Sequence, residues 1–193
     1  MSLAKDFEYF CSQITPSEEE LKNIKSKIQR IVKKLNHPYY EIDSDSDHLY
    51  TVGSVGRNTA ISNISDYDII FDLPHETFLK FNSYNNNGQS CLLQEVKNVI
   101  KETYPSTDIK GDGQVIVVQF IDYKIEVVPG FKESDDRFKY PDSNDGGHWK
   151  YTDPIPEKMR VLNKSKTQIT IIKGSQIFYV LGRIILVLNL KVC

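Results

Sequence analysis

The stretch VGSVGRNTAISNISDYDIIFDLP, residues 52–74, places a glycine–serine turn ahead of two aspartates, Asp66 and Asp68, in an apolar run of Tyr67, Ile69, Ile70 and Phe71. The alternation from Asp66 onward, bounded by Ser65 and Pro74, predicts a strand. Successive side chains leave a strand by opposite faces, so Asp66 and Asp68 share one. Aspartate is a poor strand former. Two of them on one face repel unless a cation lies between them. Just upstream, LYTV predicts a short strand that stops at Gly53. A glycine there can turn sharply and let backbone N–H groups approach a phosphate. Ser54 adds a hydroxyl donor at the start of a short helix, where anions are favoured.

A third carboxylate comes from further along. QVIVVQF and YKIEVVP read as a β-hairpin turning near Asp122 and Tyr123. Within it Glu126 alternates with Ile125 and Val127 and faces away from them. Three carboxylates on neighbouring strands suit two Mg²⁺ or Mn²⁺ ions. Two would bridge both ions and the third would hold the ion that activates a hydroxyl. Singly, a GS turn, a D-x-D pair or a hairpin glutamate is more often structural; their order and placement together point to chemistry.

Around this centre the chain reads as follows. Thr15-Pro16-Ser17-Glu18 resembles a capping box with proline at the first helical position. It opens a long amphipathic helix with Leu21, Ile24, Ile28, Ile31, Val32 and Leu35 inward, ended by His37-Pro38. Its other face carries Lys22, Lys25, Lys27, Arg30, Lys33 and Lys34, read as a solvated stripe rather than a nucleic-acid site. EIDSDSDH lacks EF-hand spacing and reads as a linker. NSYNNNGQS reads as a loop. SCLLQEVKNVIKETY reads as a second helix with Leu92, Val96, Val99 and Ile100 inward, and Lys132 to Tyr151 as polar loop. The tail after Asn163 is apolar and β-branched. A bilayer span needs about 20 apolar residues, and the run from Ile177 to Leu190 is shorter and holds Arg183. A buried element or a damaged C-terminus, rather than a membrane anchor, is the expectation there.

The 193 residues, 39% of them hydrophobic and 26% charged, suit one domain, or one plus part of another. A net charge of −2 offers no global field for a long polyanion. Small nucleotides carried with a metal need none. Cys11, Cys91 and Cys193 lie far apart without zinc spacing and read as reduced thiols in a cytosol. No apolar leader marks the N-terminus, so a cytoplasmic location is expected. Arg57 reads either as a triphosphate contact or as an ion-pair partner. Trp149 and Tyr151 read as base-stacking or as packing. His75 and His148 lack partner spacing for a catalytic role.

These residues resemble the nucleotidyltransferase superfamily with the DNA polymerase β-like palm, whose signature is G-S, a short spacer, D-h-D and a later acidic residue on a strand. GSVGRNTAI followed by SDYDI is similar to the GS-x-x-R-G-T-A-I…S-D-I-D pattern of the bacterial cyclic-oligonucleotide synthases (CD-NTases, the SMODS type), relatives of cyclic GMP-AMP synthase and oligoadenylate synthase. IEVVPGF resembles their V-D-V-V-P-A-F, and WKYTDP their tryptophan and T-D-P segment. Asn58 departs from the usual glycine and Glu126 from the commoner aspartate. The resemblance implies an α/β (α+β) palm with a mixed, mostly antiparallel sheet and a long N-terminal spine helix over 1–163. Residues 164–193 stand as an atypical tail where such enzymes continue into a helical second domain. It further implies Asp66, Asp68 and Glu126 as metal ligands and catalytic residues, Gly53, Ser54 and Arg57 at the nucleotide, and ATP or other NTP substrates. The product would be a cyclic oligonucleotide signal in antiphage defence. Two other readings remain open: a minimal nucleotidyltransferase that adenylylates a protein, and a truncated or degenerate palm acting as a nucleotide-binding or interaction module. The apolar tail carries a further expectation of self-association.

Overall fold

The computed structural model describes residues 3–154, 176–181 and 184–189. Two helices open the chain, α1 (Leu3–Ile14) and α2 (Glu18–Tyr40). A seven-stranded sheet follows, built on β1 (Leu49–Thr51), β2 (Asp66–Asp72), β3 (Asp108–Asp112), β4 (Val115–Gln119) and β5 (Lys124–Lys132) in the order β1-β2-β5-β4-β3. A one-turn helix α3 (Gly53–Gly56) links β1 to β2; α4 (His75–Asn82) and α5 (Gly88–Thr103) link β2 to β3. β6 (Phe138–Asp142) pairs with the far end of β5, and β7 (His148–Thr152) pairs with β6. β2 and β5 run parallel; the other pairings are antiparallel. The expected mixed, mostly antiparallel sheet with a long N-terminal helix is thus the fold observed.

Period-two alternation explains which face is covered. Tyr67, Ile69 and Phe71 of β2, Ile125 and Val127 of β5, and Ile116 and Val118 of β4 enter one core with Ile24, Ile28, Ile31, Val32 and Leu35 of α2 and Leu92, Val96 and Ile100 of α5. The helices therefore pack on one face. The opposite face of β2 and β5 carries the acidic side chains. Leu21, expected inward, is 39% exposed at the start of α2.

Three expectations need correction. The cap of α2 is Ser17, whose Oγ accepts from Glu20 N at 3.1 Å; Thr15 instead donates to Cys11 O. α2 also runs past Pro38 to Tyr40 and ends on left-handed Glu41 (φ 56°). Tertiary contacts hold that last turn: the Tyr40 hydroxyl donates to Asp72 O at 3.0 Å, and its ring stacks on His48 at 3.5 Å. The stretch Lys132–Tyr151 is not loop but the end of β5, β6, a 3₁₀ turn over Asn144–Gly146, and β7. Burial of Phe138 against Tyr50, and packing of Trp149 on Phe78 and Phe131, outweigh its polar composition. α1, α4 and β3 carried no clear sequence signal. In the tail, β8 (Gln176–Leu181) and β9 (Ile184–Asn189) form an antiparallel two-stranded sheet. The expected burial of the tail's side chains, and the boundary at Asn163, lie outside the described residues.

Asn36 is fully buried on α2, donates to Ser44 O (2.9 Å) and Asp47 O (3.0 Å), and meets His48 Nδ1 at 2.8 Å. Asn36→Ala strands those partners and should cost about 1–3 kcal/mol in urea denaturation. Asp142, also buried, accepts from Gln114, from Asn144 through both backbone and side chain, and from the Lys150 ammonium. Lys150 above all, with the Asn144 amide, holds its carboxyl far below the usual carboxylate range. A depressed folded value stabilises the fold fully above the unfolded value of about 3.9 and progressively less as pH falls below it. Asp142→Asn should therefore flatten the acid limb of a stability–pH curve.

Candidate active site

The parallel register of β2 and β5 pairs Asp66 with Lys124 and Asp68 with Glu126. Two alternate rungs on the face opposite the helices thus carry three carboxylates and one ammonium. Each strand is fixed beneath by its alternate residues: Tyr67 and Ile69 are at most 2% exposed, and Ile125 and Val127 are fully buried. Lys124 Nζ lies 2.6 Å from Glu126 Oε1 and 3.4 Å from Asp66 Oδ1. Burial, first, and repulsion from Glu126 and Asp66, next, raise the Asp68 carboxyl above its ordinary range; Arg57 and Lys124 oppose the shift. Asp72, the next acid along the same face beyond Ile70, accepts from Lys132 N at 2.8 Å and belongs to the sheet's structure.

Gly53 sits at φ +63°, the left-handed region. A Cβ there would lie 1.8 Å from Asp68 Oδ2, so the turn backbone and the carboxylate occupy adjoining space that only glycine leaves open. Val52 N donates to Asp68 O at 3.0 Å, tying the turn to the strand. Beyond Ser54, whose carbonyl accepts from Thr59 N at 2.8 Å, Asn58 adopts φ 57°. Asparagine tolerates that conformation better than most residues, which accounts for its place where glycine was expected. A cavity of about 420 Å³ opens between this turn and the strand, lined by Ser54, Arg57, Ser62, Ser65, Asp66 and Asp68 among others.

The sequence-derived residues Gly53, Ser54, Arg57, Asp66 and Asp68 therefore adjoin, and Glu126 stands across the rung from Asp68. Among the described residues no three His, Cys, Asp or Glu side chains converge as an ion cage. The Lys124 ammonium contacts both Glu126 and Asp66 there. That two of the carboxylates converge on one cation, and that all three donors are hard oxygens, fits a divalent Mg²⁺ or Mn²⁺. Lys124 was not singled out in the sequence, although its i, i+2 spacing from Glu126 places both on one face. The stacking candidates fare differently. Trp149 donates from Nε1 to Asn82 Oδ1 at 3.0 Å and packs under α4, while Tyr151 is 51% exposed beside Arg137. Two lysines of the α2 stripe pair internally, Lys33 with Asp43 and Lys34 with Glu102.

Gly53→Ala should push Asp68 aside and cost about 1–3 kcal/mol in chemical denaturation from its strained φ alone. Gly111→Ala, where the new Cβ meets nothing closer than 3.4 Å, should be near neutral by the same measurement.

Solved structures with this fold include three bacterial CD-NTases. CdnG of Bradyrhizobium diazoefficiens, in complex with GTP, superposes with a TM-score of 0.57 at 13% identity, over 82% of this chain and 48% of its own. CdnE of Rhodothermus marinus, a c-UMP-AMP synthase with Apcpp and Upnpp, gives 0.54 at 14%, over 80% and 58%. CdnC of E. coli MS115-1, in a complex with HORMA-deltaN, gives 0.55 at 12%, over 89% and 52%. The chain thus spans about half the length of these relatives. No curated protein matches it. The Second Messenger Oligonucleotide or Dinucleotide Synthetase domain, SMODS, matches residues 1–164, and the chain belongs to that family.

Proposed function

We propose that the chain is a Mg²⁺- or Mn²⁺-dependent nucleotidyltransferase that moves a nucleoside monophosphate from an NTP to a ribose hydroxyl, building a cyclic oligonucleotide signal. The observation that carries this is the Asp68–Glu126 rung beside the Gly53–Ser54 turn and its cavity. Membership of the SMODS family supports it, as do the GTP, ATP and nucleotide analogues in the solved relatives. A role in antiphage defence, in the cytoplasm where NTPs are available, follows the same reading. So does the assignment of residues 1–163 to the palm and 164–193 to an apolar tail through which copies associate. No helix among the described residues is long and apolar enough to cross a membrane.

In this reading Asp66, Asp68 and Glu126 would hold a divalent ion, which would supply Lewis-acid polarisation of the phosphate and lower the pKa of the attacking hydroxyl. Ser54 donates to a phosphate oxygen, and Arg57 offers its guanidinium to the polyphosphate. The hydroxyl oxygen bonds to the α-phosphorus. The α–β bridging bond breaks, its electron pair leaving with pyrophosphate, and the hydroxyl proton passes to water. The main contribution of the fold is positioning: two acids on adjacent rigid strands and a turn pinned to one of them.

A second reading, a nucleotide-binding module with weak turnover, draws on the Lys124 contact to Glu126. Incubation of the purified chain with α-labelled NTPs and Mg²⁺ or Mn²⁺ separates the two. The enzyme reading expects labelled oligonucleotide product, lost by at least about 10²-fold in Asp68→Ala, which removes half of the central acid pair. Retention of full turnover by Asp68→Ala would overturn the metal mechanism, and binding without product under either metal would favour the module.

A further inference from the structure

The ammonium between the carboxylates has a consequence for how a metal enters. We propose that Lys124 is a built-in counter-ion of the acidic cluster, and that a divalent cation binds by displacing its ammonium from Glu126 and Asp66. This rests on the reading of Asp66, Asp68 and Glu126 as metal ligands.

The geometry is specific. Lys124 and Glu126 share a face of β5, and their rungs pair with Asp66 and Asp68 of β2. Lys124 Nζ reaches Glu126 Oε1 at 2.6 Å and Asp66 Oδ1 at 3.4 Å, so a single cation contacts an acid on each strand. The backbone of Lys124 is fixed, because its N–H donates to Ser65 O at 2.8 Å and it pairs with Gln119 on β4. Its side chain is not locked: it is 34% exposed, and its four-carbon stem can carry the charge out to water. An ammonium has three donors and one positive charge. A divalent ion offers twice the charge and draws on six or more oxygens. At such distances the two positive centres repel by more than thermal energy even at an effective dielectric of about 20, so both cannot keep Glu126 and Asp66. Before any ion arrives, the ammonium offsets the repulsion between Glu126 and Asp66.

Two effects of opposite sign follow from removing the ammonium. The protein without metal loses stability, because the carboxylates repel unshielded. The affinity for a divalent ion rises, because no internal cation competes. A residue that merely braces the strand would lower both or leave affinity unmoved.

The test is Mn²⁺ titration of the whole chain, read by the paramagnetic resonance of free Mn²⁺, beside thermal unfolding in EDTA. Lys124→Gln and Lys124→Met, the second retaining an apolar stem should the first fold poorly, are expected to bind Mn²⁺ about tenfold or more tightly. Both should melt lower than wild type in EDTA. Lys124→Arg, which keeps the charge, should return affinity towards wild type. Unchanged or weaker Mn²⁺ binding in both neutral variants would overturn the proposal. Asp68→Asn separates this from the underlying reading. If Asp68→Asn abolishes Mn²⁺ binding while the neutral variants leave it unchanged, the metal site stands and the counter-ion role falls. If Asp68→Asn binds Mn²⁺ like wild type, the metal-ligand reading itself has failed.

Discussion

The pairing on which the rest of the molecule depends is the parallel contact between β2 and β5. Strands separated by residues 73–123 of the chain cannot be joined by a tight turn when they run the same way; they need a crossover. Here α4, α5 and the β3–β4 hairpin supply it, and α5 lies back on the face that the crossover must cover. The seven-rung register from Asp66↔Lys124 to Asp72↔Gly130 then fixes which side chains stand opposite each other. A slip of β2 by one residue against β5 would turn Asp66 and Asp68 into the core and Tyr67 and Ile69 out of it. The apolar face therefore selects the register, and the register places the acids. Burial on one side of the sheet is what makes the placement of the acids on the other side reproducible.

That arrangement stores electrostatic cost. Asp68 is half-buried, faces Glu126 across one rung and Asp66 along the strand, and is held above the ordinary carboxylate range in consequence. Such clusters persist because the surrounding core over-determines the backbone. Lys124 and Arg57 relieve part of the strain from within the chain. Gly53 relieves none of it, but without a side chain it leaves Asp68 Oδ2 room beside the turn. Local rules are broken at one place here, with compensation nearby, which fits the proposed site better than a poorly packed sheet.

The parts legible in the sequence were those where one residue type has one physical use. Glycine at a sharp turn, paired acids in an apolar strand and a glutamate alternating with Ile125 and Val127 each pointed to a face, and those faces meet. The strands of the central sheet and the two amphipathic helices were legible for the same reason: their period is carried by many residues. What escaped depended on distant partners. Pro38 stays helical because Tyr40 reaches Asp72 and His48. Phe138 and Trp149 turn a polar stretch into strands because Tyr50, Phe78 and Phe131 wait to bury them. Lys124 looked like any lysine at a hairpin; only the rung opposite Asp66 shows what its charge meets.

The long helix α2 is tied to the site by a chain of contacts rather than by proximity. Asn36, fully buried, clamps the linker at Ser44 and Asp47 and holds His48 through its ring nitrogen. His48, at φ 62° and stacked on Tyr40, accepts from Asp72 N through its carbonyl at 2.9 Å. That contact lies next to the Leu49↔Phe71 rung and so sets where β1 begins against β2. β1 has only three residues before the turn, so its starting point decides where Gly53 falls. With the start at Leu49, Thr51 pairs with Ile69 and Val52 N reaches Asp68 O, which brings Gly53 alongside the Asp68 carboxylate. A shift of one residue at His48 would carry the turn past the acid and put a side chain where the glycine must be. The polar linker, unremarkable as sequence, is therefore the ruler by which the helix positions the Gly53–Ser54 turn against the acidic strand.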